Sequence, residues 1–364
     1  MRKKSQTPLY LIPILSKALD VLELMENESG SLTLEAIHKR TRFSKTTTYR
    51  VLKTLVHRGY LAQLGDGSYR HISRQKKVVF GYGSQSSTMP FSDAVEQSLR
   101  TAAVEAGVEL LVLDNHYSGT TAVQNADEFA KRGVDLVIEF QTDQAAAPII
   151  ADKIASAGIP LIAVDIPHPH ATFFGVDNFR CGKAAGEILA RCIEERWDGR
   201  VDWIIGLDLA FAGPMVQARV TGAFEAINKE LPSIKADRYV RIDVQGLREN
   251  SHTAMLEFLR EHPASRRIAI VASNDASALG AIDAARSLKR EKHLMIVGQD
   301  AIEEMLNEMR KSRTPAVATI SHGAENYGRQ LIHVGLEILK GRHVPPYHFA
   351  EHKLITQKMM AEED

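Results

Sequence analysis

The chain has 364 residues, 44% hydrophobic and 25% charged, enough for two or three domains with cores of their own and unlike a disordered or collagen-like chain. Its 45 Lys+Arg balance 45 Asp+Glu, yet residues 1–77 hold 15 against 6 and residues 78–364 hold 30 against 39, so a basic head that can meet phosphates precedes an acidic body that cannot. No uncharged apolar run reaches the ~20 residues of a membrane helix, and the stretch Leu9 to Leu15, broken by Pro13 and followed by Lys17 and Asp20, is too short for a secretory leader; a cytoplasmic protein with no membrane partner is expected.

Apolar residues from Ile14 to Met25 recur at helical spacing and predict a first helix, ended by a turn at Asn27 to Ser31. Thr33 can cap a second helix, Leu34 to Arg40, and after Thr41-Arg42-Phe43, Ser44 can cap a third, Lys45 to His57. With Leu52 inward, Thr48, Leu55, Val56 and Gly59 fall within about 40–60° of it. Thr46, Thr47, Arg50, Thr54 and His57 fall opposite, flanked by Lys53. Hydroxyls, a guanidinium and an ammonium suit base edges and phosphate oxygens. Tyr60–Leu64 and Ser68–Ile72 around Gly65-Asp66-Gly67 read as a hairpin. The result is a winged helix-turn-helix for double-stranded DNA, with Ser44, Lys45, Thr46, Thr47, Arg50, Lys53 and Arg70 as its candidate contacts. Lys45, Arg50 and Arg70 can equally touch phosphate alone, which positions without specifying.

The segment Leu34-Glu35-Ala36-Ile37…Phe43-Ser44-Lys45-Thr46-Thr47-Thr48-Tyr49-Arg50-Val51-Leu52…Leu55…Gly59-Tyr60-Leu61, with the opening Leu15-Ser16-Lys17-Ala18-Leu19-Asp20-Val21-Leu22, resembles the N-terminal domain of IclR-type transcription regulators over roughly residues 9–72. That resemblance implies a homodimer on a palindromic operator. Nothing downstream in the chain looks like that family's own effector domain.

Beyond Lys76 strands alternate with helices: 77–82, 109–113, 136–140 and 160–164, then strands near 202–206, 239–243, 268–272, 294–297 and 316–320. Repeated βα units predict an α/β body of parallel sheets flanked by helices, in two lobes. Cys181 and Cys192, eleven residues apart on one helix, stand about 16 Å apart and cannot form a disulfide. Ligands of such sheets bind beyond the carboxyl ends of the strands. Reading there gives residues 84–91 and 140–143, Asp165, Asp208, Asn274-Asp275, Asp300 and His322. Acidic and amide groups with one or two aromatics suit a hydroxyl-rich ligand; for any single Asp or Asn, capping the next helix is the competing role.

The segments Asp165, Gly175-Val176-Asp177-Asn178…Gly182-Lys183-Ala184-Ala185-Gly186, Ala272-Ser273-Asn274-Asp275…Ala278-Leu279-Gly280-Ala281 and Val297-Gly298-Gln299-Asp300 resemble ribose-type periplasmic binding proteins. The same type I fold forms the effector domain of LacI/GalR repressors. The resemblance implies contacts from Phe91, Asp165, Asn274 and Asp300, with Arg219 matching a motif arginine whose role is either ligand contact or structural. The chain departs from the pattern: Ile166 and Gln217 stand at arginine positions, Phe140 at an asparagine and His322 at a glutamine. The ligand site is therefore read as Phe91, Phe140, Asp165, Gln217, Arg219, Asn274, Asp300 and His322. A modified or cyclic sugar or polyol is expected in a pocket more apolar than a pentose site. His168-Pro169-His170 lacks acidic or Cys partners at ligand spacing and reads as a surface loop rather than a metal site.

The expected organisation is a DNA-binding domain over 1–70, a basic linker over 71–77 and a body over 78–364. Its first lobe would take about 78–178 and 323–351, its second 179–322 and 352–364. The whole reads as a ligand-responsive transcription regulator with no cofactor, no metal and no catalytic residue. Residues 77–358 alone would equally suit a solute-binding protein, a reading the basic head opposes. An enzyme would need a nucleophile elbow, a phosphate-binding glycine loop or a metal motif, and none is seen.

Overall fold

The structure, a computed structural model, describes residues 12–28, 30–72 and 77–363. It divides into two compact units, Met1–Lys76 and Lys77–Asp364. Linker residues 73–76 and the first eleven residues, including the basic start of the chain, lie outside the described residues.

The head contains α1 (Pro13–Glu26), α2 (Leu34–Thr41), α3 (Lys45–His57), β1 (Leu61–Gln63) and β2 (Tyr69–His71). Both predicted caps form: Thr33 accepts from the Ala36 amide and Ser44 from the Thr47 amide. Arg42 ends α2 in the left-handed region at φ 58°, which turns the chain into α3. The buried seam of α3 is Thr48, Val51, Leu52 and Leu55. Val56, expected inward, is only half-buried; the i, i+3, i+4, i+7 stripe centres one step away from the predicted direction. That seam packs with Val21, Met25, Ile37, Leu61 and Tyr69 into one small core. The wing gains an unpredicted rung, because Leu32 exchanges both backbone hydrogen bonds with Tyr69 at 2.8 Å. It escapes a pattern reading because a single bridge has no period.

In the body, β3 (Val79–Ser84), α4 (Pro90–Ala106), β4 (Glu109–Asp114), α5 (Gly119–Arg132), β5 (Leu136–Phe140), α6 (Ala147–Ser156), β6 (Leu161–Val164) and β7 (Thr172–Val176) build the first lobe. The chain then crosses into α7 (Asn178–Trp197), β8 (Trp203–Asp208), α8 (Pro214–Glu230), β9 (Tyr239–Asp243), α9 (Arg248–Glu261), β10 (Ile268–Ala272), α10 (Asp275–Ser287), β11 (Leu294–Asp300), α11 (Glu303–Met309) and β12 (Ala316–Ser321). It returns with α12 (Ala324–Leu339), which packs on α4, and β13 (Tyr347–Ala350), then ends in the second lobe with β14 (Lys353–Thr356) and α13 (Gln357–Glu363).

The two sheets read β13-β7-β6-β5-β3-β4 and β14-β12-β11-β10-β8-β9. Each lobe thus repeats one plan, in which the first strand sits between the second and the third, so strand order reverses beside β3 and beside β8. The pairings are parallel except β12 with β14. Helices cover both faces of each sheet, with α4 and α12 opposite α5 and α6, and α7 and α8 opposite α9 and α10. The strands β7, β13 and β14 were absent from the sequence reading; each is only four or five residues long.

Candidate functional site

On the head, α3 presents Lys45, Thr46, Tyr49, Arg50, Lys53, Thr54 and His57 to solvent. Not all are free. Ser44 and Thr47 spend their hydroxyls on each other at 2.8 Å and on the cap. Lys45 pairs with Glu35 at 2.6 Å, and Lys53 donates to Gln63 of the wing at 3.0 Å, bracing the helix against the hairpin. Arg50 is exposed, with no side-chain partner among the described residues, and Arg70 is exposed on β2. Tyr49, 47% exposed beneath the Lys53 ammonium, was missed because an aromatic 60° from the inward direction reads as core. Among the described residues the surface offers the unengaged guanidinium of Arg50 beside an exposed ring, that of Arg70 on the wing, and two cations held by weak, solvent-screened contacts.

In the body, the carboxyl ends of β3 and β5 face those of β8 and β10 across a cleft, at the reversal point of each sheet. Its lining includes Phe91, Phe140, Asp165, Arg219, Asn274 and Asp300, six of the eight residues read from sequence, around a cavity of about 60 Å³. The other two do not line it. Gln217 donates to Asp208 at 3.3 Å, drawn aside by the carboxylate that also holds Arg241 at 2.6 Å. His322 is buried behind the cleft, its Nδ1 3.3 Å from Asp300 and its Nε2 3.1 Å from the Gln299 amide oxygen. Gln85, Gln141 and Thr142 also line the cleft, as their strand-end places foretold. Tyr117, Leu209 and Val216 were missed; the turn after β4 was not read, and apolar residues of a cleft look like core.

The second lobe holds Arg219 and Asn274 in fixed bonds. Arg219 Nε donates to Asn178 at 2.6 Å and Nη1 to the Ser273 carbonyl at 2.8 Å, with Asp300 4.0 Å away. The close meeting of α7 and α8 puts it there, since a Cβ on Gly182 would lie 2.0 Å from the Arg219 carbonyl oxygen. Asn274 donates to the Gly246 carbonyl at 2.9 Å and accepts from the Ser277 amide at 2.9 Å, so the capping role and the cleft position coincide. Burial, then Arg219, hold the His322 imidazole below its ordinary pKa.

The first lobe differs. Asp165 Oδ1 is buried without a partner, as are both amide atoms of Gln141. Burial pushes Asp165 up to about 6, with Arg219 opposing and Asp300 adding to the rise. Its backbone is left-handed at φ 61° because the Ile166 amide folds back onto the Val164 carbonyl at 2.7 Å. His168 braces this turn: it is buried, its Nδ1 2.8 Å from the Ile166 carbonyl, and burial takes it down to about 4. That corrects its reading as a surface histidine. Asp300 at φ 111°, Tyr117 at 56° and Gln245 at 55° also hold costly backbone conformations around the cleft. Two hydrogen bonds cross it, Tyr117 Oη to the Gln245 carbonyl at 3.0 Å and the Gln144 amide to the Phe211 carbonyl at 3.1 Å. Among the described residues no group of three His, Cys, Asp or Glu could hold a metal, and no helix is long and apolar enough to cross a membrane.

Two facing α/β lobes joined by three chain crossings, with a polar cleft between them, define a hinged binding domain. Residues 80–343 match the periplasmic binding protein domain, and the chain belongs to that family. Residues 14–65 match the IclR helix-turn-helix domain. A D-galactose/methyl-galactoside binding periplasmic protein of Haemophilus influenzae is 22% identical over 257 residues, covering 67% of this chain and 76% of the relative. A solute-binding protein of Actinobacillus succinogenes with bound D-allose superimposes with a TM-score of 0.69 at 19% identity, over 79% of this chain and 100% of its own. The myo-inositol binding protein of Caulobacter gives 0.69 at 20% identity, over 80% and 97%. At such identities the structural likeness speaks for the fold.

Proposed function

We propose that the protein is a DNA-binding transcription regulator whose inter-lobe cleft takes a sugar or polyol as effector. One observation carries this: a helix-turn-helix domain of the IclR type shares its chain with a cleft where a buried carboxylate oxygen and a whole amide have no protein partner. Hydroxyls would supply both donors and acceptors there. The bound D-allose and myo-inositol of its structural relatives support the same ligand class. Effector binding would close the lobes about the crossings, and a homodimer would turn that closure into a change in how two recognition helices meet a palindromic operator. Binding without chemistry is sufficient for this role, and a cytoplasmic location follows from it.

The test is fluorescence anisotropy of the full chain on labelled fragments from its own genomic neighbourhood, at low salt. Arg50→Ala should weaken specific binding by about 1–3 kcal/mol and leave sugar affinity unchanged. Because linkage is reciprocal, a sugar that shifts operator affinity must bind the operator complex with affinity altered by the same factor. A protein that ignores every fragment is no regulator of those genes; one whose sugar affinity is indifferent to operator DNA has uncoupled domains.

A further inference from the structure

The polar groups of the cleft occupy only part of its wall. Ile166 of the first lobe and Leu209 and Val216 of the second line the same cavity. They belong to one cluster with Ala147 and Ala212, packed against Phe211, and are 1%, 6% and 4% exposed. Apolar side chains from opposing lobes therefore meet at one end of the cleft and form a continuous hydrocarbon surface.

The backbone beneath this surface is already engaged. The Ile166 amide donates to Val164 and its carbonyl receives His168. The Leu209 amide donates to Asp208 Oδ1 at 2.8 Å and its carbonyl accepts from Ala212 at 3.3 Å. Val216 lies within α8. A ligand hydroxyl pressed here would lose water and find nothing in exchange, whereas a C–H edge or a methyl group would lose nothing. Asp165 and Gln141 make the opposite demand, since their unpaired atoms require hydroxyls. At about 10–15 Å³ of such space per water, the cavity of about 60 Å³ holds a handful of waters, the scale of one small ring.

We propose that the effector is a single-ring polyhydroxylated molecule with one bare hydrocarbon edge, a deoxysugar in chemical class, and that Ile166, Leu209 and Val216 select it against the parent sugar carrying a hydroxyl there. The inference rests on the cleft being the sugar site proposed above and narrows it.

Isothermal titration of the full-length protein against matched pairs tests it: galactose, glucose, mannose and ribose, each against its terminally deoxygenated counterpart. In at least one pair the deoxy member should bind about 10- to 100-fold more tightly, the range over which an apolar pocket discriminates against an added hydroxyl. Ile166→Thr, which places a hydroxyl on the wall and shortens the side chain by one carbon, should cut that ratio toward one. Should that variant not fold, Val216→Thr asks the same question from the other lobe. Parent sugars that bind as tightly as their deoxy partners, in every pair that binds, overturn the hydrocarbon-edge inference and leave the sugar site standing. Silence from all eight sugars overturns the deoxysugar inference, and silence from D-allose and myo-inositol as well removes the sugar or polyol site.

Discussion

The two faces of the cleft are unlike in how their polar groups are held. In the second lobe Arg219 and Asn274 each make two hydrogen bonds inside the protein, and Asp300 lies near both Arg219 and His322. In the first lobe one oxygen of Asp165, the Gln141 amide and one oxygen of Glu139 are buried with nothing to bond. The second lobe also buries unpartnered atoms, at Asn178, Ser273, Ser277 and Gln299, but its charged side chains are engaged; in the first lobe it is carboxylate oxygens that lack partners, a desolvation that a ligand or a proton relieves. Side chains on the engaged face should matter to folding, while those on the other face should matter to binding and resist folding.

The largest expected effect tests the engaged face. Arg219→Ala leaves Asp300 and Asp165 without their cation, and losing one partner of a buried charge pair costs about 3–5 kcal/mol. Urea unfolding of the full chain, followed by tryptophan fluorescence of the body, measures it; a loss below about 1 kcal/mol would mean the arginine is no more than a surface ion and the contrast is false. Glu139 comes next. Its Oε1 accepts from Asn115 at 2.8 Å, Oε2 has no partner, and burial lifts the carboxyl to about 8. A folded value raised above the unfolded one gives stability that is complete below about 4.5 and is lost as pH rises through 8. Glu139→Gln should therefore melt close to wild type at pH 4 and be more stable at pH 9, by on the order of 4 kcal/mol.

Asp165→Asn sharpens the comparison, because it should move folding and binding in opposite directions. With its carboxyl lifted to about 6 by burial, the wild type loses stability as pH climbs from about 4 through 6. The amide removes that loss and should gain about 3 kcal/mol at pH 8. The same change takes a charged acceptor from the ligand and should weaken sugar binding by roughly 10- to 100-fold. Melting curves at pH 4 and pH 8 alongside titration calorimetry read both. A variant destabilised at pH 8 would show Asp165 to be a structural residue.

Much of this was legible in the sequence. Helix α3 was read with its observed bounds because the Ser44 cap and the 3.6-residue spacing agree, and the paired lobes because βα alternation repeats over long stretches. Five cleft residues came from strand ends, alone or with the family resemblance, and Arg219 from the resemblance alone. What was hidden has physical reasons. Gln217 could be placed near the cleft but not aimed, since its direction depends on Asp208 and Arg241, the latter on a strand more than twenty residues away. His168 looked like loop because its burial comes from a turn that the left-handed Asp165 creates. Leu209 and Val216 joined the cleft wall only when two lobes, each with an ordinary core, were brought face to face.

The smallest effect concerns the groups that span the cleft. Tyr117 reaches from the first lobe to the Gln245 carbonyl at 3.0 Å, and its ring meets Phe211 edge-on at 5.9 Å. Both ends sit on left-handed backbone, an arrangement that persists only when the surroundings enforce it. This contact favours approach of the lobes without using ligand, so it should set how much closure remains for the ligand to drive. Tyr117→Phe removes the hydrogen bond and keeps the ring contact, for a change of about 1 kcal/mol. Sugar affinity should fall by about fivefold, while thermal stability moves less, since the hydroxyl's other neighbour, Thr142 of its own lobe, keeps its bond to Gln85. Hydrogen exchange at residues 116–118 and 245–247 separates the outcomes: faster exchange in the variant at both segments places the bond between lobes, and faster exchange at only one would make it a local brace.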